Sequence, residues 1–364
     1  MWAAAGACLV APYLYSLKRI KLLLVCSAGV FLLTSCAFSA IFLLPPQYMQ
    51  YAALGIRIVQ GVSGGLFENF FCSALLTVHS ERVGTVSGLI EVACDIGTLM
   101  APIIGAFLYE EFGFVTTQLI PCVVLAIMLL WMTQAPGFGT ETVPHAEEEA
   151  QGSGFSKIFT CFPLMFLMFL PFSTMAIMTL PMSFMAPFVH QTYNLSARYT
   201  GYIFTVTGLA YSVTCPLIGY FSDMPGFNPF TAILLCPIIL LLSQGTMFAS
   251  HLLTIPLNYP QILVAYAGVG FGCGIGNGPV LVAIFKAWTY NNVGLRDHSA
   301  FITSFFLLCY PLGMAAGTSL GGILKENMSF MTIIQGQVMF LAVYSILMIV
   351  FTLTYGRRIQ QQGE

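Results

Sequence analysis

"SGLIEVACDIGTLMAPIIGAF", residues 87–107, decides the fold. It is an apolar run of about the 20 residues that a bilayer-spanning helix needs. Yet Glu91 and Asp95 stand in it one helical turn apart. The surrounding chain settles which solvent this helix meets. Of 364 residues, 58% are hydrophobic and 7% are charged, whereas a soluble domain carries about 25% charged residues. The chain therefore reads as an all-α membrane protein with many spans. Its net charge of −2 and lack of a basic patch give no grip on nucleic acid. The eleven cysteines lie in or beside apolar segments, with no C-x-x-C and no zinc-ligand spacing, and the five histidines fall at polar breaks. No metal, cofactor or catalytic cluster is expected, so the chain does not read as an enzyme.

Cut at its polar breaks, the sequence gives eleven predicted transmembrane helices: 1–17, 22–44, 52–78, 84–108, 114–132, 159–188, 199–221, 230–248, 261–288, 300–324 and 330–355. The opening "MWAAAGACLVAPYLYSLKRIK" carries its positive charges after the apolar stretch, the reverse of a signal peptide. A polar stretch at 133–157, rich in Gly, Pro and Glu, divides an N-terminal bundle of five spans (1–132) from a C-terminal bundle of six (158–364). Nine basic residues fall on one side of this layout (Lys18, Arg19, Lys21, Arg82, Lys157, Lys286, Arg296, Arg357, Arg358) and two on the other (Arg198, Lys325). Positive charge marks the cytoplasmic side. The N-terminus is thus expected outside or luminal, the linker and C-terminus in the cytoplasm, in a vesicle or plasma membrane. The sequons at Asn194 and Asn327 fall on the outer side.

The two halves echo one another. Gly97, Ala101, Pro102, Gly105 and Ala106 recur at a constant offset of 216 as Gly313, Gly317, Thr318, Gly321 and Gly322. Paired halves of this kind build many secondary transporters, with substrate bound between them. Three motifs then carry a resemblance: "RIVQGVSGG" with Arg57, Gln60, Gly61 and Gly64; "GTLMAPIIGA" with Gly97, Pro102 and Gly105; and "GYFSDMPG" with Gly219, Asp223 and Gly226. In that order they resemble the fourth-helix, fifth-helix antiporter and eighth-helix loop motifs of the major facilitator superfamily. Within it, the run 88–114 looks like solute carrier family 18, the vesicular amine transporters, and most like its polyamine member. The resemblance implies the major facilitator fold, with the first helix missing and the first of the eleven spans matching the family's second. The N-terminal loop motif is degraded, with Pro12 for its first Gly and Ser16 for its Asp.

The glycines have a packing role whatever the family. Small residues every fourth position let backbones approach in lipid, so Gly61, Gly64, Gly97, Gly105, Gly219, Gly317 and Gly321 are helix-packing and gating positions, together with Asp223 of the loop motif and with Pro102 as a kink. Leu at Gly105 or Gly321 is expected to hold helices apart. "GVGFGCGIGNGP", 268–279, has no strand–turn–helix context for a dinucleotide loop and reads as a closely packed helix. The acids demand more, because an ionised side chain at mid-bilayer costs about 2.5–3.5 kcal/mol. Glu68, Glu91 and Asp95 are placed by the helical rise roughly 10–15 Å inside their spans, with Arg57 three turns from Glu68. Carboxylates in a low-dielectric cavity hold protons tightly, and an entering cation displaces them. These four are the candidate proton and cation site. Tyr211, Tyr266, Asn277 and Tyr310 are candidate cavity residues for an amine, through cation–π or hydrogen-bond contacts.

Function then reads as proton-coupled antiport of an organic cation, an amine or polyamine, by a monomer with protons, lipid and the cation as partners. Polyamine rests on the resemblance alone. Two alternatives remain open at this level: a proton-coupled carrier for another small solute, and a truncated, transport-dead membrane interaction protein.

Overall fold

The computed structural model describes residues 1–15, 20–134, 161–253, 256–290 and 299–362. These form α1 (Trp2–Tyr15), α2 (Ile20–Ser39), α3 (Pro46–Val78), α4 (Val83–Gln134), α5 (Phe162–Thr179), α6 (Met185–Tyr193), α7 (Ala197–Ser222), α8 (Pro229–Leu252), α9 (Tyr259–Tyr290), α10 (Ser299–Asn327), α11 (Phe330–Phe351) and α12 (Arg357–Gln362). Eight helical segments among the described residues are long and apolar enough to cross a membrane, and Trp2–Leu14 and Val83–Cys94 are shorter apolar helices. The order of apolar segments is the expected one, and the chain is an all-helical integral membrane protein. Most of the linker, including Glu148, and also Ser16 and Arg296, lies outside the described residues.

Two boundaries differ from the sequence reading, each for a local reason. The fourth and fifth predicted spans are one continuous helix, α4, interrupted only at Gly113, whose φ of 75° and ψ of 178° turn the backbone where the residue without a Cβ stands. The sixth predicted span is broken. Its helix stops at Thr179, a 3-10 turn covers Leu180–Ser183, and α6 follows. Pro181 has no N–H to continue the ladder, and the Phe184 N–H closes the turn on the Pro181 carbonyl at 3.1 Å.

The chain forms two compact units, neither contiguous in sequence. Unit 1 is Met1–Val78, Gly97–Ser156 and Arg296–Pro311; unit 2 is His79–Ile96, Lys157–Leu295 and Leu312–Glu364. The expected halves and these units therefore differ at 79–96 and 296–311. In unit 1, α3 lies against α1 and α2: a Cβ on Gly61 would meet Ala3 Cβ at 2.8 Å, and one on Gly65 would meet the Ala4 carbonyl at 2.8 Å. A Cβ on Gly64 would meet the Phe31 ring of α2 at 3.3 Å. Beneath them Ala11, Leu24 and Phe70 make a buried cluster.

Unit 2 is held by two rows of small residues. Gly313, Gly317 and Gly321 on α10 seat against the carbonyls of Phe172, Ala176 and Leu180, one turn after another. Gly270, Gly274 and Gly278 on α9 seat against the backbone at Thr207, Tyr211 and Cys215 of α7. In lipid there is no hydrophobic drive between helices, so close van der Waals fit and Cα–H···O contacts of about 0.5–1 kcal/mol each do the holding. The glycine-rich run 268–279 is helical within α9, and most of it is buried. A Cβ at Gly97 or Gly105 meets nothing within 4 Å.

Candidate functional site

In unit 2 the first turns of α4 run antiparallel to the end of α7 at backbone contact. Gly84 touches Gly219 and Ser222, and a Cβ on Gly88 would meet Pro216 Cα at 2.7 Å. Continuing that register by one more turn brings Glu91 to Tyr211. The Tyr211 hydroxyl donates to Glu91 Oε2 at 3.0 Å. Behind it, Asn277 Nδ2 donates to the Tyr211 oxygen at 3.3 Å, and the Thr174 hydroxyl donates to Asn277 Oδ1 at 3.2 Å. Tyr211 is 1% exposed, and Asn277 and Thr174 are fully buried. The glycine row of α9 makes this possible, because only a backbone pressed on α7 lets the short Asn277 side chain reach the phenol.

Buried polar groups are costly without partners, about 1–3 kcal/mol each, and here four groups from α4, α5, α7 and α9 satisfy one another. Three of them, Glu91, Tyr211 and Asn277, are residues that the sequence singles out. Thr174 is not, because a hydroxyl in an apolar helix usually bonds its own preceding turn; it does so here as well, to the Pro171 carbonyl at 3.1 Å.

At the start of α4, Asp223 accepts from the Gly84 N–H at 2.8 Å and from the Thr85 N–H and hydroxyl, both at 2.6 Å. A carboxylate on the free N–H groups of a helix start is favourable through hydrogen bonding and the helix dipole, by up to about 2 kcal/mol where partly buried. The loop-motif Asp is thus a cap on α4.

In unit 1, Arg57 lies 4.0 Å over the Phe38 ring and donates to Gln60 Oε1 at 3.1 Å; Gln60 in turn donates to Ser35 Oγ at 3.0 Å. The motif Arg and Gln therefore tie α3 to α2. Glu68 is exposed, and its neighbour Asn69 is 1% exposed and accepts from the Ser304 hydroxyl at 2.7 Å. Tyr310 packs edge-on to Phe306 with ring centroids 5.2 Å apart. Tyr266 of unit 2 is 1% exposed, in an apolar cluster with Ile203, Met247 and Ile334, apart from the Glu91 group. The side chains of Asp95 and Pro102 lie outside the described residues. Among the described residues no group of three or more His, Cys, Asp or Glu is placed to hold a metal ion.

The family model of the Major Facilitator Superfamily matches residues 1–295. The chain belongs to that superfamily. It is similar to the superfamily member of Rattus norvegicus named MFS-type transporter SLC18B1, 26% identical over 298 residues, which are 76% of this chain and 59% of the relative. The chain thus spans about three fifths of that relative's length. It is also similar to the multidrug resistance protein MdtG of Klebsiella pneumoniae (strain 342), 24% identical over 302 residues, 80% of this chain and 69% of the relative. Among solved structures, the superfamily proton:xylose symporter XylE aligns with a TM-score of 0.69 at 11% identity, over 97% of this chain and 84% of the other. That likeness supports the major facilitator fold.

Proposed function

We propose that the protein is a secondary active transporter that exchanges protons for an organic cation by alternating access, with an amine or polyamine as the leading substrate. The observation that carries this reading is the Glu91 carboxylate, placed inside an apolar helix and bonded to the buried Tyr211 hydroxyl. A group so placed changes charge only if something replaces its solvation. An arriving cation does so by attraction, and a proton does so by neutralising it. Competition between the two for Glu91, Asp95 and Glu68 is antiport in itself. The names of the relatives, a solute carrier family 18 protein and a multidrug resistance protein, agree with a small-solute cargo. In this reading the two bundles flanking 133–157 supply the alternating halves, and Arg57, Tyr266 and Tyr310 are candidate residues of the transport path.

The test is uptake into reconstituted vesicles under an imposed pH gradient, screened over amines, with substrate-linked proton release measured alongside. Asp95→Asn is expected to lose gradient-driven uptake most completely and Glu91→Gln partially. If both variants keep wild-type uptake and proton release, these carboxylates are structural and the antiport reading fails. If uptake falls while protons released per substrate stay constant, the acids bind cation without carrying the proton. A second reading, a proton-coupled carrier for a neutral or anionic solute, predicts uptake of such solutes and none of amines.

A further inference from the structure

Buried polar side chains in native proteins nearly always have hydrogen-bond partners. Three in unit 2 are exceptions. Gln244 of α8 is fully buried, Tyr266 of α9 is 1% exposed and Gln337 of α11 is 7% exposed. Neither polar atom of Gln244, neither of Gln337, nor the Tyr266 hydroxyl has a hydrogen-bond partner among the described residues.

Helix register brings these three to one level. A Cβ on Gly276 of α9 would meet Cys236 Sγ of α8 at 2.7 Å, and one on Gly268, two turns back, would meet Ser243 Oγ, two turns on. The two helices therefore run antiparallel in a register that sets Gln244 beside Tyr266. The Gln244 side chain does lie beside the Tyr266 hydroxyl, though not in bonding geometry. On the other flank of α8, Cys236 stands near Tyr344 of α11. Two turns along this second antiparallel pair, Gln244 comes level with Gln337. One turn further come Met247 and Ile334, which share a buried cluster with Tyr266. Gln337 lies on the inward face of α11, since Ile333, Ile334, Leu341 and Tyr344 on either side of it are all buried.

The chemistry of the three side chains selects what can lie among them. A glutamine amide offers two hydrogens and an acceptor oxygen, and a tyrosine hydroxyl offers one hydrogen and an acceptor. An apolar guest would leave them all unmet. A charged guest would lack a counter-charge, because α8, α9 and α11 contain no Asp or Glu, and their only Lys or Arg is Lys286, near the other end of α9 from Tyr266. The guest must be neutral, must both give and accept hydrogen bonds, and must be small enough to fit against Met247 and Ile334. A buried water, which typically makes about three bonds to groups that otherwise have none, meets each condition. We infer that Gln244, Tyr266 and Gln337 form a buried water-binding site where α8, α9 and α11 meet, and that its water joins the three helices by bonds that their side chains do not make directly. The site is apart from the Glu91 group and does not depend on the antiport reading.

Hydroxyl-radical footprinting of the reconstituted full chain, by brief X-ray irradiation in heavy-oxygen water, reads such a site. Radicals formed from bound water oxidise the side chains that touch it and leave heavy oxygen on them, whereas buried side chains away from water stay unlabelled. Met247 and Tyr266 are the reporters, and Met168 and Met348, also buried, are the references. Met247 is expected to be labelled several-fold faster than either reference, with label on Tyr266 as well. Gln244→Met and Gln337→Met keep the length of the side chain and remove its polar atoms, so both should bring Met247 down to the reference rate and clear Tyr266. Gly336→Ala, at a neighbouring position where a Cβ meets nothing within 4 Å, should label like wild type. Met247 labelled no faster than the references would overturn the inference, since the three side chains would then pair with one another in a dry joint. Wild-type labelling retained in both glutamine variants would overturn it too. The comparison of Met247 with its references needs no variant, so the test stands even if a glutamine variant fails to fold.

Discussion

Arg57 is held by its shape as much as by its charge. The guanidinium is exposed, yet it lies flat enough over Phe38 to bring its carbon within 4.0 Å of the ring centroid while one nitrogen reaches Gln60. A lysine keeps the charge and loses the planar fork. Arg57→Lys is therefore expected to lower the thermal stability of detergent-purified protein by roughly 0.5–1 kcal/mol, the scale of an exposed cation–π contact. Phe38→Leu should have a similar effect, and the double variant should add little. Additive losses would show that Arg57 and Phe38 act separately. The residue scale is also where the sequence is most and least readable. Glu91, Tyr211 and Asn277 stand out because each is polar inside an apolar segment. Their connection does not, since it runs across 120 and 66 sequence positions and depends on how closely α9 and α4 approach α7. Asp223 is legible as a motif residue, whereas its main-chain partners Gly84 and Thr85 have no side-chain signature.

Helices in this chain touch through backbone, and two substitutions on one helix separate that effect from general damage. Gly321 faces the Leu180 carbonyl, whereas a Cβ at Gly322 meets nothing within 4 Å. Gly321→Leu should lower thermal stability by about 1–3 kcal/mol, as overpacking does, and Gly322→Leu should leave it near wild type. Equal losses would mean that the glycine row is not what seats α10 on α5. At the start of α4 the cap gives a graded series. Asp223→Asn is expected to cost up to about 2 kcal/mol, since it removes the charge facing three donors, while Thr85→Ala should cost less because two N–H bonds remain. Melting curves in one detergent check the order, and a Thr85→Ala loss as large as that of Asp223→Asn would contradict it. Element types were readable from apolar length, but two joints were not. The sequence break near Gly113 looks like a loop and is a single turned residue, while Pro181 sits unmarked among apolar residues and ends a helix.

For the whole molecule, we propose from charge placement that 133–157 lies in the cytoplasm. A tag at Glu148 should be reached by antibody only after cells are permeabilised; labelling of intact cells would invert the topology. The order of apolar segments was legible because lipid imposes one length on every span, but the grouping into compact units was not, because it depends on which small-residue faces meet. Unit 1 takes residues 296–311 from far along the chain, and within it the Ser304 hydroxyl donates to Asn69 across 235 positions. That bond fixes an order in time. A polypeptide is made and inserted from its first residue, so α3 enters the bilayer carrying an amide oxygen whose partner does not yet exist. An unmet buried amide costs about 1–3 kcal/mol, which makes the early arrangement of α1 to α3 provisional. The newborn chain completes its first unit only when α10, made long after α3, arrives to supply Ser304.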